Sequence, residues 1–239
     1  MEPTDSLPTS DDIRAALRSV QYARLYVSED DKRRPHLIQQ LLILADLRLK
    51  LTEIPQAESL LREASVVYKE MKTPDPALAT SIWTNLAILN ERRGDVAKAV
   101  EFCQKAMTDA ATSGILDRTE GVTLCYTLAR LCLKLGDATK AAEYGRKALI
   151  AQQKLTGEES LPTAEAANLI GEASLALGKR EESLQWHERA LRIQQSHPAK
   201  NAAAAAAEIK ATYRHLAKAA ESLGQEKLAN DYYRLGRPN

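Results

Sequence analysis

The chain has 239 residues, of which 44% are hydrophobic and 5% aromatic, and its 33 basic residues nearly balance its 32 acidic ones. The net charge of +1 provides no general attraction to nucleic acid or to an anionic membrane, and no stretch approaches the roughly 20 apolar residues of a membrane-spanning helix. The polar first residues do not form a secretory signal, and the three cysteines fit a reducing compartment, so we expect a cytoplasmic protein.

The first predicted element is an amphipathic helix over residues 10–27, with an apolar stripe from Ile13 to Val20. We expect residues 1–9 to be disordered and Ser10 to cap this helix. Residues 10–34 then form an N-terminal capping helix and its loop.

The rest of the chain repeats itself with a period of 42 residues. The hexamer GDVAKA at 94–99 returns as GDATKA at 136–141, and the same turn recurs in steps of 42, 42, 42 and 46 at Thr52, Gly94, Gly136, Gly178 and Gly224. Four further columns of aliphatic or small residues keep their register with the turn: Leu44, Leu86, Leu128, Ile170 and Leu216; Ala45, Ala87, Ala129, Gly171 and Ala217; Ala57, Ala99, Ala141, Ser183 and Ala229; Ala64, Ala106, Ala148, Ala190 and Gly236. Aligned units of this length predict stacked structural repeats.

Each unit contains the pattern of two helices joined by a tight turn. Trp83, Leu86 and Ala87 follow the spacing of one helical face, and Gly94 ends that helix. Asp95 is placed to cap the next helix, whose alanines lie seven apart on one side. The longer last step contains six consecutive alanines, which predict a lengthened first helix there.

This combination resembles the tetratricopeptide repeat (TPR): the spacing of Trp83, Leu86 and Ala87, then a glycine, then alanines seven apart. The 42-residue period resembles the longer repeats of kinesin light chains, and the resemblance covers about residues 38–236. It implies an all-α fold, a right-handed superhelical α-solenoid of antiparallel helix pairs with about five repeats after the N-terminal helix. We place the solenoid at 35–239, with repeats at about 38–79, 80–121, 122–163, 164–209 and 210–239.

No residue pattern indicates catalysis, a cofactor or a metal, so we do not expect an enzyme. A phosphate-binding loop needs four residues between its glycines and a Ser or Thr after the lysine, whereas six separate Gly171 from Gly178 and Arg180 follows Lys179. The thiols of Cys103, Cys125 and Cys132 lack metal-site spacing, so we expect them to be buried as small hydrophobic groups. For the four histidines we expect surface or partly buried positions.

The resemblance implies that the first helix of each pair lines a concave groove that binds a partner. Asn85 is placed like the groove asparagines that bind a peptide backbone in the family, and an amide can donate and accept at once. The full set of candidate groove residues is Asn85, Ile88, Tyr126, Arg130, Lys134, Asn168, Glu172, Arg214 and Lys218. We expect neighbours such as Leu42, Thr84, Glu91 and Thr127 to point into the same groove.

The leading functional hypothesis is a non-enzymatic adaptor or scaffold that binds a protein or peptide in this groove, without nucleic acid and without membrane insertion. Two alternatives stay open. The chain could be a scaffold that associates with itself through its terminal repeats, where Tyr232 or Tyr233 would make the contact. It could also be a regulator that senses a peptide.

Overall fold

The computed structural model describes residues 8–27, 31–197 and 202–237, and these ranges contain eleven α-helices and no β-strand. A short 3-10 turn at Asp31–Arg33 precedes the second helix. The helices are α1 (Ser10–Val27), α2 (Arg34–Lys50), α3 (Ile54–Lys69), α4 (Pro76–Arg92), α5 (Val96–Ser113), α6 (Thr119–Lys134), α7 (Ala138–Thr156), α8 (Leu161–Ala176), α9 (Arg180–Ser196), α10 (Ala202–Ser222) and α11 (Glu226–Leu235). The disorder expected for residues 1–9 falls almost wholly outside the described residues.

The first compact unit ends at Leu116 and contains α1 to α5. Here α1 packs on α2, α2 pairs with α3, and α4 packs on both helices of that pair and on α5. The centre of this unit is a cluster of fully buried aliphatic side chains that includes Ile38, Leu41 and Leu61. The short connections make successive helices antiparallel.

Thr9, and not Ser10, caps α1, so the predicted cap was wrong by one residue. The Thr9 hydroxyl accepts a hydrogen bond from the Asp12 amide at 3.2 Å, and the Asp12 carboxylate accepts one from the Thr9 amide at 2.8 Å. This reciprocal arrangement needs an acidic residue three positions after the cap. Ser10 has Ile13 at that position and therefore cannot form it.

The second compact unit begins at Asp117 and contains α6 to α11. Its pairs are α6 with α7, α8 with α9, and α10 with α11, and each pair packs on the next. The first helices of adjacent pairs also touch, so α6 contacts α8 and α8 contacts α10. At 21 residues, α10 is longer than the 16 or 17 residues of the other first helices, as the longer last step predicts.

The turns between paired helices have the predicted chemistry. Gly94 adopts φ +83°, a left-handed conformation that glycine reaches without a steric penalty. The Asp95 side chain then accepts a hydrogen bond from the Lys98 amide at 3.1 Å and caps α5. The same position in the first repeat is Thr52, which has a φ of +60°. Among the described residues it is the one non-glycine residue with a positive φ.

The small-residue columns of the repeat form the helix–helix contacts. Every member of the three small-residue columns is buried, in both units. In the aliphatic column four of the five members are buried, and Leu86 is partly exposed. The repeated residues are therefore the ones that pack helix against helix, which confirms the predicted all-α architecture. Among the described helices, none has the length and apolar composition needed to cross a membrane.

Candidate functional site

One face of the second unit carries most of the candidate partner-binding residues. The three first helices α6, α8 and α10 lie side by side, and the candidates on each helix are spaced by four residues, which places them on one side. We call this set the first-helix face: Tyr126, Arg130 and Lys134 on α6, Asn168 and Glu172 on α8, and Arg214 and Lys218 on α10.

The side chains of the first-helix face differ in their exposure. Lys134, Glu172, Arg214 and Lys218 are exposed, whereas Tyr126 and Asn168 are half-buried, as is Arg130. Four of the seven members are basic and one is acidic, so the face has a local positive charge that the whole chain lacks. The charges and hydrogen-bonding groups can provide polar contacts, and the half-buried Tyr126 adds an aromatic ring.

In the first unit, Asn85 and Ile88 are half-buried residues of α4. The Asn85 side-chain nitrogen donates to the Ser81 carbonyl at 2.9 Å, one turn earlier in the helix. The Asn85 carbonyl oxygen has no hydrogen-bond partner among the described residues and remains available to a ligand donor.

Several neighbours that were expected in the groove are instead buried. Thr84 and Thr127 have 2% and 3% of their surface exposed, and each hydroxyl donates to the carbonyl one turn before it. Leu42 and Glu91 are each 8% exposed. The expectation was wrong for these residues because a first helix is covered on more than one side, by its own partner helix and by the adjacent repeat. Only a narrow strip of each first helix stays open.

Asn168 belongs to a hydrogen-bonded chain that links α8, α9 and α10. Its side-chain nitrogen donates to the Thr212 hydroxyl at 2.8 Å, and its carbonyl oxygen lies 2.9 Å from Nδ1 of His187. The Thr212 hydroxyl in turn donates to the Gln194 side-chain oxygen at 2.8 Å. Since an amide oxygen only accepts, the bond to Asn168 places the His187 proton on Nδ1.

His187 is fully buried, so the expectation of a surface or partly buried position was wrong for it. Its ring packs edge-on against His215, with 5.1 Å between ring centroids. Burial lowers the pKa of His187 to about 3, helped by His215. Burial also lowers the pKa of His215 to about 4, and the cations of Lys218 and Arg214 contribute. Both values leave the imidazoles neutral near pH 7, and Nδ1 of His215 also lies 3.3 Å from the Glu172 carboxylate, whose charge acts in the opposite direction on the His215 pKa.

A glycine makes room for this histidine. A Cβ atom at Gly171 would lie only 2.6 Å from Cε1 of the His187 ring. The other repeats have alanine in the Gly171 column and no histidine in the His187 column, whose members are Leu61, Cys103, Gly145, His187 and Tyr233. Glycine instead of alanine at Gly171, together with a histidine at His187, was the sequence signal for the buried histidine cluster.

The cysteines occupy positions of the expected kind. Cys103, Cys125 and Cys132 are buried, and burial raises the pKa of Cys125 to about 11. Within residues 8–27, 31–197 and 202–237, no three His, Cys, Asp or Glu side chains are grouped so as to hold a metal ion.

The C-terminal tyrosines make contacts within their own unit. The Tyr233 hydroxyl donates to the Glu221 carboxylate at 2.8 Å. The Tyr232 ring lies 6.1 Å from the Tyr213 ring, measured between centroids. Both side chains are half-buried, so only part of each is open to another molecule.

Comparisons with known proteins agree with the repeat architecture. The tetratricopeptide repeat family model matches residues 119–196. The structure of BtubC (BKLC) from P. vanneervenii is 31% identical over 97% of this chain and 95% of its own, with a TM-score of 0.81. Nearly identical TPR-like repeats attributed to a kinesin light chain of Podosopora anserina are 20% identical over 87% of this chain and 95% of their own, with a TM-score of 0.67.

A Rap protein complexed with Competence and Sporulation Factor is 12% identical over 95% of this chain and 64% of its own, with a TM-score of 0.66. No curated protein sequence matches the chain. The two more distant structures share the fold, whereas the 31% identity to BtubC extends over nearly the full length of both chains. The chain therefore belongs to the tetratricopeptide repeat family, with 42-residue repeats of the kinesin light chain-like kind.

Proposed function

We propose that this chain is a non-enzymatic adaptor or scaffold that binds a protein or peptide partner along its first-helix face. The observation that carries the proposal is a difference between two sets of residues on α6, α8 and α10. Their repeated small and aliphatic residues are used in helix packing, whereas the first-helix face consists of residues that differ from one repeat to the next. Proteins of this family commonly mediate protein–protein interactions, which supports the same conclusion.

The chemistry of the face favours a partner segment with acidic side chains and accessible backbone amides. Arg214 and Lys218 are exposed one turn apart on α10 and can bind a carboxylate. Asn168 uses one hydrogen and one oxygen lone pair inside the protein, so its second hydrogen and lone pair can bind a peptide group.

The test compares capture of partners by the wild-type chain and by Arg214→Glu/Lys218→Glu. The matched control is Arg180→Glu/Lys227→Glu, which reverses two exposed charges on second helices. Proteins that bind the wild type and the control, but not the face variant, are then purified and titrated. We expect at least a tenfold loss of affinity in the face variant only, because reversed charges repel an acidic segment.

Equal affinity of all three forms would contradict the proposal. Circular dichroism and thermal unfolding of each variant verify that the fold is intact, which the exposure of these side chains leads us to expect. Light scattering over a range of protein concentrations separates this function from self-association through terminal repeats. A cytoplasmic location remains a prediction that imaging of a tagged chain would check.

A further inference from the structure

The solvent-facing side of α1 is rich in large apolar side chains. Among the described residues, ten large hydrophobic side chains are exposed, and three of them lie within five positions of α1. Tyr22, Leu25 and Tyr26 have 61%, 74% and 45% of their surfaces exposed. The opposite side of α1 already packs in the core through Ile13, Ala16, Val20 and Ala23. Exposed apolar side chains that are grouped in this way indicate an interaction surface.

Basic groups adjoin these aromatic rings. The Tyr22 and Tyr26 rings lie 4.6 Å apart, and the Arg33 guanidinium stands 5.3 Å from the centroid of the Tyr26 ring. Arg18, one turn before Tyr22, contributes to a cleft between α1 and α2. The lining of this cleft consists of Arg18, Ser19, Tyr22, His36 and Gln40.

The described acidic side chains near this surface are already engaged by other groups. Asp11 pairs with Arg14 at 3.3 Å, Glu63 accepts a hydrogen bond from Arg24 at 2.8 Å, and Glu70 lies 3.7 Å from Arg34. Arg18 and Arg33 have no acidic partner within the described ranges. The surface therefore combines exposed apolar groups with two arginines that form no ion pair with any acid in residues 8–27, 31–197 and 202–237.

The spacing of these residues indicates the shape of a partner that can pack on them. Arg18, Tyr22 and Tyr26 follow one another at intervals of four along α1, and His36 and Gln40 repeat that interval on α2. Two adjacent helices with such rows leave a furrow in which the ridge of a third helix can pack. The first unit already contains one such packing, since α4 lies against both α2 and α3.

We propose that the surface formed by Arg18, Tyr22, Leu25, Tyr26 and Arg33, the α1 surface, binds an acidic amphipathic helix of a partner protein. The apolar ridge of that helix packs on Tyr22, Leu25 and Tyr26, and its flanking carboxylates pair with Arg18 and Arg33. This binding site shares no residue with the first-helix face, so either proposal can fail alone.

The probe is a fluorescein-labelled 18-residue peptide with leucines in a helical stripe, flanked by glutamates and otherwise made of alanine. Its counterpart replaces every glutamate by lysine. Both are titrated with the full chain by fluorescence anisotropy at two salt concentrations. We expect the acidic peptide to bind at least tenfold more tightly than the basic one, with an affinity that falls as salt rises.

Two variants separate the apolar and the charged contributions. Tyr22→Ser/Leu25→Ser/Tyr26→Ser and Arg18→Glu/Arg33→Glu should each weaken binding of the acidic peptide at least tenfold, and the second should come to prefer the basic peptide. The matched control is Arg62→Glu/Val66→Ser on α3, where Val66 is also exposed, and it should bind as the wild type does. Circular dichroism verifies that each variant is folded.

Three outcomes would overturn the proposal. The first is equal affinity for the two peptides, and the second is an equal loss in the control variant. The third is binding of vesicles of one part phosphatidylserine to three parts phosphatidylcholine without binding of the peptide. Glu29 and Asp30 adjoin the α1 surface in sequence but lie outside the described residues. Glu29→Gln/Asp30→Asn should leave the affinity unchanged or raise it, since these acids could only compete, and a loss would also overturn the proposal.

Discussion

The contact between Gly171 and His187 supports a precise prediction for Gly171→Ala. The added methyl carbon would lie 2.6, 2.7 and 2.9 Å from three atoms of the His187 ring. Carbon atoms pack best at roughly 3.5–4.0 Å, so the ring must move by about 1 Å. His187 has no free space into which to move, because it is fully buried and bonded to Asn168 at 2.9 Å.

The expected destabilisation follows from three contributions. Overpacking a core costs about 1–3 kcal/mol, and leaving a buried hydrogen-bonding group without its partner costs about 1–3 kcal/mol. Alanine is the better helix former and returns about 1 kcal/mol. We therefore expect Gly171→Ala to lower the free energy of unfolding by about 3 kcal/mol, which corresponds to a melting temperature lower by about 6–12 °C for a chain of this size.

The assay is urea unfolding followed by circular dichroism, in a double-mutant cycle with His187→Ala. In that background the ring is absent, so Gly171→Ala should stabilise the chain by about 1 kcal/mol through helix propensity alone. Gly145→Ala is the matched control, because its nearest contact is a single side-chain atom, Cγ1 of Ile170 at 3.0 Å, whereas Gly171→Ala would meet three atoms of a hydrogen-bonded ring. The effect of Gly145→Ala should stay within about 1 kcal/mol of zero. An equal effect of Gly171→Ala with and without His187 would show that the ring is not the cause.

Three further predictions concern single positions. Thr52→Gly should stabilise the chain by about 1 kcal/mol in urea unfolding, because the φ of +60° strains a β-branched residue, whereas Thr52→Ala should bring no such gain. Because the pKa values of His187 and His215 fall to about 3 and about 4 in the folded chain, the unfolded chain takes up protons first as the pH falls below about 6.5. Stability should therefore be greatest above that pH and decline by up to about 1.4 kcal/mol per pH unit for each histidine towards pH 4, and a flat profile of urea midpoints would count against this. Because all three thiols are buried and the pKa of Cys125 is raised to about 11, the native chain should react with Ellman's reagent only after unfolding, and rapid reaction of the native chain would contradict the burial of at least one thiol.

The helix joints could be predicted from the sequence because their causes act over a few residues. Gly94 needs only its own backbone freedom to end a helix, and Asp95 needs only an amide three positions ahead. The columns of small residues could also be predicted from the sequence, because the same packing requirement recurs in each of the five repeated units. The cap of α1 was missed by one residue because the deciding partner was Asp12, which the apolar pattern does not include.

The candidate site was harder to predict because its decisive contacts join distant residues. The bonds of Asn168 to His187 and to Thr212 span 19 and 44 positions, and no periodic pattern encodes them. Exposure was also hard to predict. Thr84 and Thr127 look polar enough for a groove, yet each satisfies its hydroxyl within its own helix and can be buried there without an unpaired donor.

Residues that depart from the repeat either make contacts in the interior or lie on the first-helix face, and Asn168 does both. Toward the interior it is one link in the chain from His187 to Gln194, and its half-buried side chain also reaches the first-helix face. A partner would therefore meet an amide whose orientation is set by residues that the partner cannot touch. For the same reason, Asn168→Ala would remove a contact and leave Nδ1 of buried His187 without its acceptor, which mixes affinity with stability. Arg214 and Lys218, exposed on the same face, allow the two effects to be measured separately.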